Sequence, residues 1–336
     1  MKTVELGRTG EQVSQLSLGC MLMGTTTDEP TSVELLDRYL AAGGSFLDTA
    51  NCYCWWNDRG SSGGHSESVL GRWFARTRRR DDVFLATKGS AIPRDLDRVF
   101  DADGEPDWAA AYRSFEGAGA DTLRRNLDDS LRRLQTDHVD LYYVHVDDRA
   151  TPLEETLEAL AGMVRAGKVR YLGWSNVRAW RLAAIRQLCD RHGWPAPVAV
   201  QQQHSYLRRK AGLDHASIVD DEQLDYFRAH DDLTLVAYSP ILMGIYDDPQ
   251  RRESHGKFAD YRGPDAEARL AVLAEVAAEV GVTPNQLVLA WLMHQRQPAM
   301  VPIMGPRTLA QYEAAMPSLA VTLTDAQLAR LDAAGA

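Results

Sequence analysis

The chain has 336 residues, of which 45% are hydrophobic and 25% charged, the balance of an ordinary folded protein. A formal net charge of −10 excludes a general binder of nucleic acid or of anionic membrane surfaces, either of which needs a basic face. No stretch reaches the length of a membrane-spanning helix, and the opening MKTVELGRTG lacks the apolar core of a signal peptide, so a cytoplasmic location is expected.

Val4-Glu5-Leu6 and Val13-Ser14-Gln15 flank the turn Gly7-Arg8-Thr9-Gly10 and predict an N-terminal hairpin. Short apolar runs then alternate with stretches of helical periodicity. Leu16–Leu18 precedes Val33–Ala42, Phe46-Leu47 precedes Ser66–Ala75, Val83–Ala86 precedes Leu123–Leu134, and Val139–Val144 precedes Leu153–Val164. Val169–Gly173 precedes Trp180–Cys189, Val198–Val200 precedes Leu224–His230, Leu233–Ala237 precedes Ala266–Val280, and Met300–Ile303 precedes Leu309–Ala315.

Such alternation implies a parallel sheet, and eight units after a hairpin predict closure into a (β/α)₈ TIM barrel, one domain over residues 1–336. An open doubly wound sheet is the alternative. Its usual marker is an early G-x-G-x-x-G loop, whereas the first strand here leads into Gly19-Cys20-Met21-Leu22-Met23-Gly24. Two connections, Gly89 to Ala120 and Ile241 to Pro264, are long for a compact domain. Both follow strands, the side on which barrels carry their active sites, so both are candidate lids. Of the four cysteines only Cys52 and Cys54 cluster, without further ligands at metal spacing; free thiols and no metal are expected.

Strand ends supply the chemistry. The second run ends in Leu47-Asp48-Thr49-Ala50 with Tyr53 just beyond, the third in Ala86-Thr87-Lys88, and the fourth in Tyr143-Val144-His145. In a barrel these ends lie side by side around one mouth. Each residue alone has a plainer reading: a helix cap for the Asp, a solvated charge for the Lys, packing for the Tyr and His. Together they match carbonyl reduction, which delivers hydride to carbon and a proton to oxygen. Tyr53 would be the proton donor, with Lys88 lowering its pKa. Asp48 would hold Lys88 in its charged form, and His145 would orient the carbonyl.

With these motifs, and with Leu6-Gly7-Arg8-Thr9-Gly10, His145–Thr156 and Gly167–Asn176 in the same order, the chain resembles the aldo-keto reductase superfamily over essentially its full length. The resemblance implies a catalytic tetrad of Asp48, Tyr53, Lys88 and His145. It implies NADPH, with NADH as the other possibility, extended across the barrel mouth near Met21. Ser175, Asn176 and Gln201 would hold the carboxamide, and Tyr238 would stack on the nicotinamide. Ser239, Pro240 and the loop to Gly244 would follow the pyrophosphate. Gly305, Arg307 and Gln311 would meet the adenosine end, with Arg307 on a 2′-phosphate and Lys257 and Arg262 as further phosphate contacts. Ala314 and Ala315 stand where the family commonly has Glu and Asn for the adenine.

Beside the tyrosine, where a Gly is common, stands Cys54, followed by Trp55-Trp56-Asn57-Asp58-Arg59 and the run Gly60–Gly64. Trp55, Trp56, Trp108 and Trp174 are the expected walls of a pocket for a small carbonyl or alcohol, suited to sugars, rings and flat aldehydes alike. Two other readings share the site. One is a non-catalytic regulatory subunit like the potassium-channel β-subunits, which resemble the same superfamily. The other is an NAD(P)⁺-dependent dehydrogenase of sugars or polyols. Oligomeric state is not legible in the chain.

Overall fold

The computed structural model describes residues 1–57 and 59–335; Asp58 lies outside them, as does the side chain of Lys257 with the phosphate contact expected of it. Strands β1 (Thr3–Glu5) and β2 (Gln12–Ser14) pair antiparallel, with Val4 opposite Val13. The other eight are β3 (Ser17–Gly19), β4 (Phe46–Asp48), β5 (Phe84–Gly89), β6 (Val139–Val144), β7 (Val169–Ser175), β8 (Pro197–Gln203), β9 (Thr234–Tyr238) and β10 (Met300–Met304). They run parallel in chain order and close into a barrel, β10 returning to β3. The fold is therefore a (β/α)₈ TIM barrel, each strand falling on one of the eight apolar runs.

Alternation along each strand sorts its side chains. Phe46, Phe84, Ala86, Leu141, Tyr143, Ala199, Val236 and Val301 fill the barrel interior. Leu47, Leu85, Tyr142, Leu172, Val200 and Leu235 belong to the separate layer that includes the helices. Phe46 and Phe84 meet edge to face, centroids 5.2 Å apart. Gly173 leaves room for the Tyr143 ring, because a Cβ there would lie 2.4 Å from it. The hairpin plugs the barrel floor: Leu6 and Val13 are fully buried in the interior cluster. The amide of Gly7 donates to Thr234 Oγ1 at 2.7 Å, and Arg8 pairs with Asp231.

The outer helices Glu29–Ala41, His65–Thr77, Ala120–Leu134, Leu153–Arg165, Ala179–His192, Asp221–Ala229, Pro264–Val280 and Leu309–Ala315 occupy the eight periodic stretches. Side-chain caps start several of them; Asp28 accepts from the Thr31 amide at 2.8 Å and Asp220 from that of Gln223 at 2.9 Å. Others were not foreseen. Helix Pro284–His294 is buried at every position from Leu287 to Met293, so it has no polar face to reveal a helical period. Its readable signal is the capping box of Thr283 with Gln286. Helix Asp325–Ala333 begins with the same device, Thr324 with Gln327. The two long connections are not structureless: they contain helices Trp108–Ser114 and Pro249–Ser254, capped by Asp107 and Asp248. Among the described residues no helix is long and apolar enough to cross a membrane.

Candidate active site

The interior parity that packs Phe46, Phe84 and Ala199 continues up each strand. The next inward positions are Asp48 on β4, Lys88 on β5, Ser175 on β7, Gln201 on β8 and Tyr238 on β9. A row of apolar residues thus gives way to a row of polar ones at the mouth. Register fixes the neighbours: Lys88 lies opposite Tyr143, Ser175 opposite Gln201 and Gln203 opposite Tyr238.

Lys88 is fully buried and fully engaged. Its Nζ donates to Asp48 Oδ1 at 2.6 Å, to the Thr49 carbonyl at 2.8 Å and to Tyr53 Oη at 2.8 Å. A buried ammonium needs such company, since desolvating it unpaired costs on the order of several kcal/mol. The other Asp48 oxygen accepts from Gln201 Nε2 at 2.7 Å. His145, just past β6, sets its ring at 82° to the ring of Tyr53, centroids 5.7 Å apart. Asn176 Nδ2 donates to the His145 carbonyl at 2.7 Å and to Ser175 Oγ at 3.1 Å. Ser175 Oγ in turn donates to the Gln201 carbonyl at 2.7 Å, and Tyr238 Oη donates to Asn176 Oδ1 at 2.9 Å. One continuous network therefore joins the four expected catalytic residues to the four expected carboxamide and stacking residues.

The electrostatics differ from expectation at Tyr53. Burial first, then the Asp48 carboxylate, push its phenol well above 10, although Lys88 donates to it. His145 is driven the other way: burial first, then the Lys88 ammonium, hold its pKa well below 6.5. Both side chains are thereby kept neutral near pH 7, each able to donate a hydrogen.

The loop carrying Tyr53 is tied down on both sides. Cys54 takes a left-handed backbone, φ 70°, the conformation a glycine would adopt there without strain. Its Sγ donates to the Met21 carbonyl at 3.2 Å and accepts from Thr25 Oγ1 at 3.1 Å. Gly63, at φ 93°, packs against the backbone behind Tyr53; a Cβ there would lie 2.5 Å from the Cys52 carbonyl.

The tryptophans divide. Trp55, Trp56 and Trp108 form one cluster, with Trp55 5.9 Å from Trp56 and both 5.4 Å from Trp108. Tyr53 packs against the buried cluster that contains Trp55. Trp55 is 1% exposed and is the underside of the group, whereas Trp108 is 46% exposed. Trp174 does not belong to the pocket. It takes the outward parity of β7 and is buried in the layer that includes the helices. Beside the cluster a recess of about 300 Å³ is lined by Tyr112, Val146, Asn176, Arg178, His215 and Ser217 among others. A more open hollow of about 730 Å³, around Arg132, Gln135 and Lys168, lies before β6 and β7, at the other end of the barrel.

The remaining expected cofactor residues also ring the mouth. Met21 is 40% exposed beyond β3. Ser239, Pro240 and Gly244 follow β9, with Ser239 at φ 52° and Pro240 accepting from Ser205 Oγ. Gly305, Arg307 and Gln311 follow β10, where Gln311 Oε1 accepts from the Arg307 amide at 2.7 Å. The Arg307 carbonyl accepts from Thr27 Oγ1 at 3.1 Å, linking the loops after β10 and β3. Among the described residues the Arg307 guanidinium pairs with no carboxylate. Arg262, by contrast, is occupied by Glu253 at 2.6 Å. Ala314 and Ala315 offer no polar side chain, and the neighbouring Glu313 is engaged with Arg38 at 2.6 Å. All four cysteines are free and buried. Among the described residues no group of three or more His, Cys, Asp or Glu is placed to hold a metal ion.

The sequence profile of the Aldo/keto reductase family matches residues 15–336. The chain belongs to that family. Full-length relatives agree with the assignment. YrpG, an uncharacterized oxidoreductase of Bacillus subtilis, is 33% identical over 98% of this chain and 94% of its own. Protein tas of Escherichia coli is 30% identical over 96% and 94%, and the norsolorinic acid reductase stcV of Emericella nidulans 32% over 96% and 78%. Among solved structures, the thermostable aldo-keto reductase Tm1743, crystallised with the inhibitor epalrestat, superposes with a TM-score of 0.69 at 26% identity, covering 99% of each chain. The protein is thus an aldo-keto reductase, an enzyme of the nicotinamide-dependent oxidoreductase class.

Proposed function

We propose that this aldo-keto reductase reduces an aromatic aldehyde or ketone with NADPH, with Tyr53 as the proton donor. The observation that carries the reading is the Lys88 ammonium, sealed in the barrel and shared between Asp48 at 2.6 Å and Tyr53 Oη at 2.8 Å. That arrangement fixes the phenol at the mouth, and the raised pKa of Tyr53 keeps its proton available for a carbonyl oxygen as negative charge develops there. His145, neutral and edge-on to Tyr53, gives the same oxygen a second donor. Ser175, Asn176 and Gln201 carry the amide and hydroxyl groups that a carboxamide needs, and Arg307, which pairs with no carboxylate among the described residues, is suited to a 2′-phosphate. Bound there, the reduced nicotinamide would supply the hydride. The aromatic group of Trp56 and Trp108, which meets through Trp55 the cluster on which Tyr53 packs, supports a flat ring as the substrate's body, in keeping with relatives named as a norsolorinic acid reductase and an aryl-alcohol dehydrogenase.

The test is Tyr53→Phe. NADPH oxidation with a reactive aromatic aldehyde should fall at least about a hundredfold, the usual contribution of a positioned acid, while NADPH binding measured by calorimetry is retained. Full turnover in this variant would refute the assignment, and tighter binding of NADH than of NADPH would refute the cofactor.

A further inference from the structure

We infer that the Cys52 thiol sets the tautomer of His145, donating its S–H to Nδ1 and so leaving Nε2–H as the hydrogen offered to the substrate oxygen. The inference rests on the proposed reading of the site only for the identity of that oxygen. Cys52 Sγ lies 3.4 Å from His145 Nδ1, within hydrogen-bond reach of sulfur. The thiol is 3% exposed, and burial pushes its pKa up to about 12, so it holds its proton. His145, kept neutral by burial and by Lys88, has one ring proton to place on two nitrogens. An imidazole nitrogen accepts well and a thiol sulfur poorly, so the better bond runs from S–H to bare Nδ1. The proton then sits on Nε2, which makes no hydrogen bond to any described residue.

The surroundings hold this pair in place. The His145 backbone is fixed at both ends, its amide on the Gly89 carbonyl at 2.9 Å and its carbonyl on Asn176 Nδ2 at 2.7 Å. The Cys52 carbonyl accepts from the Trp55 amide at 3.2 Å and is backed by Gly63. Cys52 is therefore a positioning residue. It is buried and acts through the histidine.

Nitrogen-15 spectra of the free enzyme, with histidine labelled, decide the matter without any substrate. Wild type is expected to show His145 with a bare Nδ1 and a protonated Nε2; the reverse pattern would overturn the inference. In Cys52→Ala the second tautomer should appear and kcat should fall about tenfold with NADPH affinity unchanged, the scale on which partners behind a functional histidine act. Cys52→Ser, which restores a donor, should recover the single tautomer and most of kcat. An unaltered spectrum in Cys52→Ala would equally overturn the role. Failure of the proposed function would instead appear as absent turnover in wild type, which leaves the spectra readable.

Discussion

Tyr53 and His145 are pushed by the same burial toward the same electrical condition, neutrality, from opposite ends of the pH scale. On the proposed reading this is the state competent for reduction, so kcat with an aldehyde and NADPH should stay level from neutral into alkaline pH. On that same reading, oxidation of the alcohol takes Tyr53 as the acceptor, hence deprotonated. Its rate should climb with pH, about tenfold per unit while the phenolate is a small fraction. An oxidation profile already flat at neutral pH would contradict the raised pKa. Lys88 has a second, structural duty. Lys88→Met leaves the Asp48 carboxylate buried without its cation and should cost about 3–5 kcal/mol in urea unfolding, part of which Asp48→Asn should restore in the double variant. That Asp48, Lys88 and His145 meet at one mouth was legible in the chain because residue type and strand-end position are local properties. The direction of the Tyr53 pKa was not, because it sums the burial of a site assembled from distant segments.

At the scale of the element, the loop between β4 and helix His65–Thr77 sets both where the phenol stands and what lies beside it. Gly63→Ala puts a side chain on a left-handed residue and against the Cys52 carbonyl. It should cost more than about 1 kcal/mol in thermal unfolding and lower kcat while sparing NADPH affinity. Trp108→Ala removes the exposed member of the aromatic cluster. An aromatic pairing worth about 0.5–1.5 kcal/mol predicts a KM roughly two- to tenfold higher for ring-bearing carbonyls, and no change for a short aliphatic aldehyde. An equal change for both would remove the case for an aromatic substrate. Trp174 shows where sequence patterning stops: it is one residue from Ser175, and that single step turns it out of the barrel. Helix Pro284–His294 stayed hidden for a related reason, since periodicity shows only where one face meets water.

At the scale of the whole molecule, the barrel is unevenly laced. β3 is held to β10 only through Ile303 opposite Ser17 and Met304 opposite Leu18, whereas β5 meets β6 at four successive positions. Backbone amides of residues 17–19 should therefore exchange with solvent before those of 139–144, and NADPH should slow them if Arg307 and the Thr27 link beside this seam carry its phosphate end. Equal exchange with and without NADPH would argue against that placement. The number of units and the closure were readable from eight alternations, but the strength of the seam was not, because it depends on which residues of a three-residue strand find partners. The hairpin under Phe46 and Phe84 makes the barrel a vessel stoppered at its base. A vessel of that kind fills and drains through its neck alone. On the proposed reading, the proton that Tyr53 gives away is restored through the same opening by which the alcohol leaves, so a product slow to depart delays the recharging of the acid as well as its own release.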